Sequence, residues 1–259
     1  MIRVFLTVLA CLAGAAAFAQ DTRLRSLDTS DAGRGWDAVG RIDIDGRGFC
    51  TGALIAPDLV LTAAHCLYDR DGARIAPERL QFLAGWRNGR ASAYRNVRRA
   101  VLHPDYAYNG PIDAARVRND VALLELSQPI RNPSVLPFQT AERPRSGERI
   151  GVVSYAMDRA EAPSLQETCI VRARQEGILV MSCNIDFGSS GAPVFSFETG
   201  QPQIVSVVSA MAQVEGEKVS LGTALGDTLA LLRAQLAADT GRISVGGLRR
   251  DTGAKFVKP

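Results

Sequence analysis

Between residues 38 and 224 the chain is written in short apolar and β-branched runs, broken at close intervals by Gly, Pro, Asn and Asp. That pattern leaves no room for long helices and points to an all-β barrel or sandwich. The runs fall into two sets of six. The first comprises Ala38 to Ile44, Gly52 to Ile55, Leu59 to Thr62, Leu80 to Ala84, Val97 to Leu102 and Val121 to Leu126. The second comprises Ile150 to Tyr155, Cys169 to Arg174, Ile178 to Ser182, Pro193 to Phe197, Gln203 to Ala210 and Val219 to Ala224. Between the sets, Ser127 to Glu148 holds Pro129, Pro133, Pro137 and Pro144. Proline cannot donate to a strand ladder, so this stretch reads as a crossover between two β units. Helical spacing occurs in one place, where Leu225, Leu229, Leu232 and Leu236 follow Asp227 or Thr228 as a cap and Gly241 supplies a stop. No internal repeat is visible.

The ends read differently. Residues 1 to 19 join Arg3 to an apolar run and finish in Ala17-Phe18-Ala19, the pattern of an export signal cut before Gln20. That run is too short to span a membrane comfortably, and no later segment reaches about 18 uninterrupted apolar residues. An exported protein without stable membrane insertion, periplasmic or extracellular, is therefore expected. A lipid anchor on Cys11 is disfavoured, because Val8-Leu9-Ala10-Cys11 is a poor lipoprotein match. Residues 20 to 35 read as an N-terminal segment that is dispensable or merely packed on the surface. Arg242 to Pro259 reads as a loose polar tail.

Loss of the signal also removes Cys11 and leaves Cys50, Cys66, Cys169 and Cys183, which allow two disulfides in three connectivities. Zinc is discounted because no C-x-x-C spacing occurs. The precursor's net charge is +3, and without Arg3 it becomes about +2. With basic residues scattered, and the pair Arg98-Arg99 read as solvated surface, no nucleic-acid partner is expected. Nothing calls for a cofactor or a metal, and a monomer is expected.

Three segments carry chemistry. His65 lies in Thr62-Ala63-Ala64-His65-Cys66, Asp120 precedes the apolar run Val121 to Leu124, and Ser190 lies in Gly188-Ser189-Ser190-Gly191-Ala192-Pro193. A serine hydroxyl is a weak nucleophile until a histidine takes its proton and a carboxylate holds that histidine in one tautomer. An acid at the mouth of a buried strand is costly unless hydrogen-bonded, and an imidazole N–H would satisfy it. Asp113 is the competing acid, but it has no apolar strand behind it. The glycines around Ser190 permit a tight turn that could aim the Gly188 and Ser190 N–H groups at a developing oxyanion. His103, followed by Pro104, is assigned no role.

The order His, Asp, Ser, the stretch from Phe49-Cys50-Thr51-Gly52-Ala53-Leu54-Ile55 through His65-Cys66, and Val101-Leu102-His103-Pro104-Asp105-Tyr106 together resemble the chymotrypsin-like serine proteases. The resemblance runs from about Trp36 to about Leu236. It implies two six-stranded antiparallel β-barrels, the first over residues 36–132 with His65 and Asp120. The second covers 133–241, bears Ser190 and is covered by the C-terminal helix. The resemblance implies peptide-bond hydrolysis through an acyl-enzyme, with a peptide or protein as substrate. It further implies that Cys50 pairs with Cys66 and Cys169 with Cys183.

Two departures limit the likeness to trypsin. No Ile-Val-Gly-Gly start is present, and Ser189 replaces the aspartate before the nucleophile, as in some bacterial glutamyl endopeptidases. Serine cannot pair with a buried ammonium, so activation by an inserted N-terminus is not expected. Six residues before Ser190, Asn184 stands where trypsin has its acidic specificity residue, while Ser209, Ala210 and Met211 form the expected pocket wall. A neutral pocket of this kind favours small or apolar side chains, although Asp186 lies close enough to confuse the alignment. A catalytically silent binding module is the alternative. An α/β-hydrolase is disfavoured, since that fold needs a Gly-x-Ser-x-Gly elbow and a histidine placed last.

Overall fold

The computed structural model describes residues 24–241 except 112, 143 and 215; the expected export signal and loose tail lie outside the described residues. Six strands close the first barrel: β2 (Val39–Ile44), β3 (Gly48–Ala56), β4 (Leu59–Thr62), β5 (Leu80–Ala84), β6 (Ala93–Leu102) and β7 (Ala122–Leu126). Their order around the barrel is β2-β3-β4-β7-β6-β5, with antiparallel pairing throughout. The second barrel is built from β8 (Arg149–Ala156), β9 (Arg159–Gln175), β10 (Ile178–Met181), β11 (Pro193–Ser196), β12 (Gln203–Val214) and β13 (Glu217–Ala224). Its order is β9-β10-β13-β12-β11-β8, closed by the β8–β9 pairing. Ile42, Leu54, Val60, Leu61, Phe82, Leu123 and Leu124 are buried on the strands of one barrel; neighbours such as Leu123 and Leu124 point to opposite faces, so β7 is covered on both. Ile150, Val171, Val194, Val205 and Val208 are buried in the other. Closure removes the free edges that open sheets expose.

An aromatic cluster joins the barrels. Phe195 of β11 packs against Phe138 of the crossover at 4.8 Å and against Trp36, just ahead of β2, at 5.1 Å between ring centroids. Buried aromatic groups of this size contribute far more than the surface ion pairs around them.

Three features depart from the sequence reading. The helix α2 (Gly226–Gly241) packs on β6 and β7, which belong to the first barrel and not the second. Leu225, Leu229, Leu232 and Leu236 join the first-barrel core, and the Arg99 guanidinium donates to the Leu236 carbonyl at 3.3 Å. The helix thus straps the end of the second barrel back onto the first. Secondly, the N-terminal segment is anchored: β1 (Arg25–Ser26) pairs with Leu165 and Ser164 of β9, and Leu27 is fully buried. Arg87 holds this segment through the Leu27 and Gly33 carbonyls and the Asp37 carboxylate. Thirdly, a short helix α1 (Ala114–Arg118) precedes Asp120; Asp113, the competing acid, is its N-cap and accepts from Arg116 N–H at 2.8 Å.

Candidate active site

Where the barrels meet, a cleft of about 300 Å³ is lined by residues of both. His65, Asp120 and Ser190 share it with Tyr108 and Arg116 of the α1 side and with Ile185, Asp186, Phe187, Val208, Ser209, Ala210 and Met211 of the second barrel.

His65 rides on a single 3-10 turn, Ala64–Leu67, immediately after β4. The neighbouring Cys66 is joined to Cys50 of β3, so the turn is strapped to the strand beside it. The only group of His, Cys and acidic ligands that could hold a metal ion among the described residues is Cys50, His65 and Cys66. Its two sulfurs are spent in that disulfide, which leaves no thiolate to bind one. The second disulfide joins Cys169 of β9 to Cys183, ahead of the Ser190 loop.

Asp120 is almost completely buried, and three donors meet its carboxylate. The His65 backbone N–H reaches Oδ1 at 2.8 Å, His65 Nδ1 reaches Oδ2 at 2.7 Å, and the Ser209 hydroxyl reaches Oδ2 at 2.5 Å. A carboxylate so placed can only accept, so it fixes the proton on Nδ1 and leaves Nε2 as the free acceptor of the imidazole. The backbone that carries Asp120 is also tethered across the barrels: Thr223 of β13 donates to the Val117 carbonyl at 2.5 Å, and Asp120 N–H donates to that carbonyl at 3.3 Å. Burial first, and the Asp120 charge second, raise the pKa of the nearby Tyr106 hydroxyl, while Arg116 acts against that rise.

Ser190 sits half-buried in a loop whose shape is set by its glycines. Gly188 has φ +96° and Gly191 φ +77°, and a Cβ at Gly191 would lie 2.1 Å from Thr62 Oγ1 and 2.4 Å from the Thr51 carbonyl. No other residue fits there without moving the barrel interface. In a trans peptide the C=O and N–H point opposite ways, so anchoring one aims the other. Met157 N–H holds the Phe187 carbonyl at 2.8 Å and Ala192 N–H holds the Ser189 carbonyl at 3.0 Å. These anchors aim the Gly188 and Ser190 N–H groups away from Met157 and Ala192, and neither donates a hydrogen bond among the described residues. Ser189 is fully buried; its hydroxyl bonds with Ser154 and the Tyr155 carbonyl, each at 3.2 Å.

Ser209 and Met211 line the cleft as the sequence suggests, but Asn184 does not. Its side chain is exposed, and its N–H is taken by Gln166 Oε1 at 2.7 Å. Ile185, Asp186 and Phe187 line the cleft instead, Ile185 buried and the other two exposed at its rim. Counting back six residues misses this because the chain between Cys183 and Ser190 follows its own turn, closed by Ser189 N–H on the Asp186 carbonyl at 2.9 Å. Arg116 and Thr51 went unnoticed in sequence: one lies on an unforeseen helix, and the other is a threonine in an ordinary strand.

The fold and the cleft define a two-barrel β protein with a serine, a histidine and an acid at the seam. The profile of the family described as "Trypsin-like peptidase domain" matches residues 50–203, more than half of the chain, and the chain belongs to that family. Mannan-binding lectin serine protease 1 of Homo sapiens is 30% identical over 125 residues, covering 43% of this chain and 17% of that protein. Trypsin of Phaedon cochleariae is 36% identical over 104 residues, covering 39% and 36%. Cathepsin G of Homo sapiens is 32% identical over 97 residues, covering 36% and 34%. The chain thus spans well under two-thirds of the length of each relative. Among solved structures, one titled "Structure of Glu endopeptidase in complex with MPD" superposes with a TM-score of 0.66 at 19% identity, covering 79% of this chain and 92% of that one.

Proposed function

We propose that the protein is an exported serine endopeptidase that cuts peptide bonds through an acyl-enzyme. The observation that carries the reading is the buried Asp120 carboxylate bonded to His65 Nδ1 in a cleft that Ser190 also lines, with the Gly188 and Ser190 N–H groups unbonded among the described residues. In the first step His65 Nε2 takes the Ser190 proton as Oγ bonds to the scissile carbonyl carbon. The carbonyl π pair moves to oxygen, where the Gly188 and Ser190 N–H groups stabilise it. Collapse of this intermediate breaks the C–N bond, and the imidazolium returns its proton to the leaving amine. Water then repeats the sequence on the ester. Membership of the trypsin-like family supports the reading.

The substrate is an extended peptide. β12 is paired by β11 only as far as Val207, so from Ser209 onward one edge of the strand is open beside the cleft. Such an edge can accept a peptide as an added strand. The side chain next to the cut meets Ile185, Asp186, Val208, Ala210 and Met211, a pocket containing one acid. Of the two residues behind the expected preference for small or apolar side chains, Met211 lines this pocket and Asn184 does not. No inserted ammonium is needed, because Ser189 is already satisfied by Ser154 and Tyr155.

The test is the initial rate of hydrolysis of a peptide library by the wild type, Ser190→Ala, His65→Ala and the double variant. Each single substitution should remove nearly all activity, and the double should lose little more than either, because the residues act as a unit. A Ser190→Ala variant with full turnover would refute the assignment and leave the silent binding module as the better account.

A further inference from the structure

The catalytic reading assigns no role to Thr51, yet this residue of β3 bonds to the Ser190 loop through both its side chain and its backbone. It is fully buried at the seam. Its hydroxyl donates to the Gly188 carbonyl at 2.9 Å and accepts the Tyr155 N–H at 3.1 Å. Its own N–H donates to the Ser190 carbonyl at 2.8 Å, and its carbonyl accepts the Thr62 hydroxyl at 2.9 Å. Every polar group of Thr51 is therefore engaged, and all but the last bond reach into the second barrel.

We propose that Thr51 is a positioning residue whose hydroxyl sets the oxyanion donors in register with His65. The peptide between Gly188 and Ser189 is the spacer between the two N–H donors, so its orientation controls their separation. Asp186 holds that spacer by its N–H side from within the same loop; Thr51 Oγ1 holds its carbonyl from the opposite barrel. Cys50, the preceding residue, is bonded to Cys66 beside His65. One short stretch of β3 thus grips the base's turn through a disulfide and the oxyanion loop through a hydroxyl. The backbone bond to Ser190 would survive any replacement except proline, whereas the bonds to Gly188 and Tyr155 require a side-chain hydroxyl. Loss of that hydroxyl frees the spacer without touching the substrate pocket. Geometry of this kind acts on the transition state: a misplacement of about 1 Å can cost about 100-fold in rate.

This inference rests on the peptidase reading, and the experiment separates the two. Wild type, Thr51→Val, Thr51→Ser and Ser190→Ala are compared for kcat and KM on one peptide substrate. Affinity is also measured for two ligands, a peptidyl trifluoromethyl ketone and the corresponding product carboxylate. The ketone adds Ser190 Oγ to its carbonyl carbon, passes the hydroxyl proton to His65 and leaves an oxyanion in the hole; the product forms no such bond. Thr51→Val is expected to lower kcat about 10- to 100-fold, by analogy with misplaced catalytic groups, with KM and product affinity within about twofold. Ketone affinity should fall in parallel with kcat, and Thr51→Ser should recover most of both. Wild-type kcat in folded Thr51→Val would overturn the proposal, as would equal losses for ketone and product. Failure of both Thr51→Val and Thr51→Ala to fold beside a fully active Thr51→Ser would reduce Thr51 to a structural residue and likewise overturn it. Activity retained by Ser190→Ala would instead remove the peptidase reading itself.

Discussion

Three donors on one buried carboxylate raise the question of what each contributes to the chemistry. The two bonds from His65 hold ring and backbone together, so Asp120→Asn, whose amide can present an N–H to Nδ1, invites the wrong tautomer. It should lower kcat by roughly 10⁴ with little change in KM, as such substitutions do in related triads. The Ser209 bond is different, since it supports the acid and never meets the imidazole. Ser209→Ala is expected to reduce kcat by about 10- to 100-fold, the equivalent of roughly one hydrogen bond to a charged group. Steady-state kinetics on one peptide would check both. A Ser209→Ala loss as deep as that of Asp120→Asn would mean that the serine holds the carboxylate in place unaided.

At the scale of elements, the strap formed by α2 depends on a charged joint that sequence composition hides. Arg98 and Arg99 looked like solvated surface, but both guanidiniums pair with Glu125 of β7, and Arg99 continues to the end of α2. Partial burial alone would raise the Glu125 pKa; the hydrogen bonds and charges of Arg99 and Arg98 outweigh it and hold the carboxyl below its usual value. A carboxyl depressed in the folded state contributes stability above its unfolded pKa, about 4.3, and that contribution disappears as pH falls through the lower folded value. Glu125→Gln should therefore cost about 1–3 kcal/mol at neutral pH, the range for hydrogen bonds to charged groups. The gap between wild type and variant should close below about pH 4. Urea unfolding at pH 7 and pH 3 would reveal it; a gap that persisted in acid would place the effect in packing instead of charge.

For the whole molecule, all twelve barrel strands left a trace in the sequence because each contains a short apolar or β-branched run between breakers, and their two-barrel grouping followed the proline-rich crossover. β1 left none, since two exposed residues, Arg25 and Ser26, carry no period; only the neighbouring Leu27 marks the site, and a single leucine in a polar stretch is common. The first half of β9 was missed because Glu161 and Pro163 interrupt its alternation, which the pairing with β8 and β1 overrides. The leucine spacing of α2 showed that a helix exists but not which barrel receives it, because a face that is apolar fits either surface. His65, Asp120 and Ser190 could be named because each sits in a distinctive short segment, and Ser209 and Met211 only through the resemblance, which places them in the pocket wall; all five line one cleft. Asn184, Asp186, Arg116 and Thr51 could not be sorted, for their roles depend on turns and cross-barrel bonds that no local pattern encodes.

The account's central claim is that Ser190 is a nucleophile made reactive by His65 and Asp120. Intact-mass spectrometry after treatment with a fluorophosphonate tests it most directly, because phosphonylation needs an activated serine and displaces fluoride with the serine proton lost. Wild type should gain one adduct per molecule, mapped to Ser190, while His65→Ala and Ser190→Ala should remain unlabelled over the same time. A folded wild-type protein left unlabelled, or labelled at another serine, would contradict it.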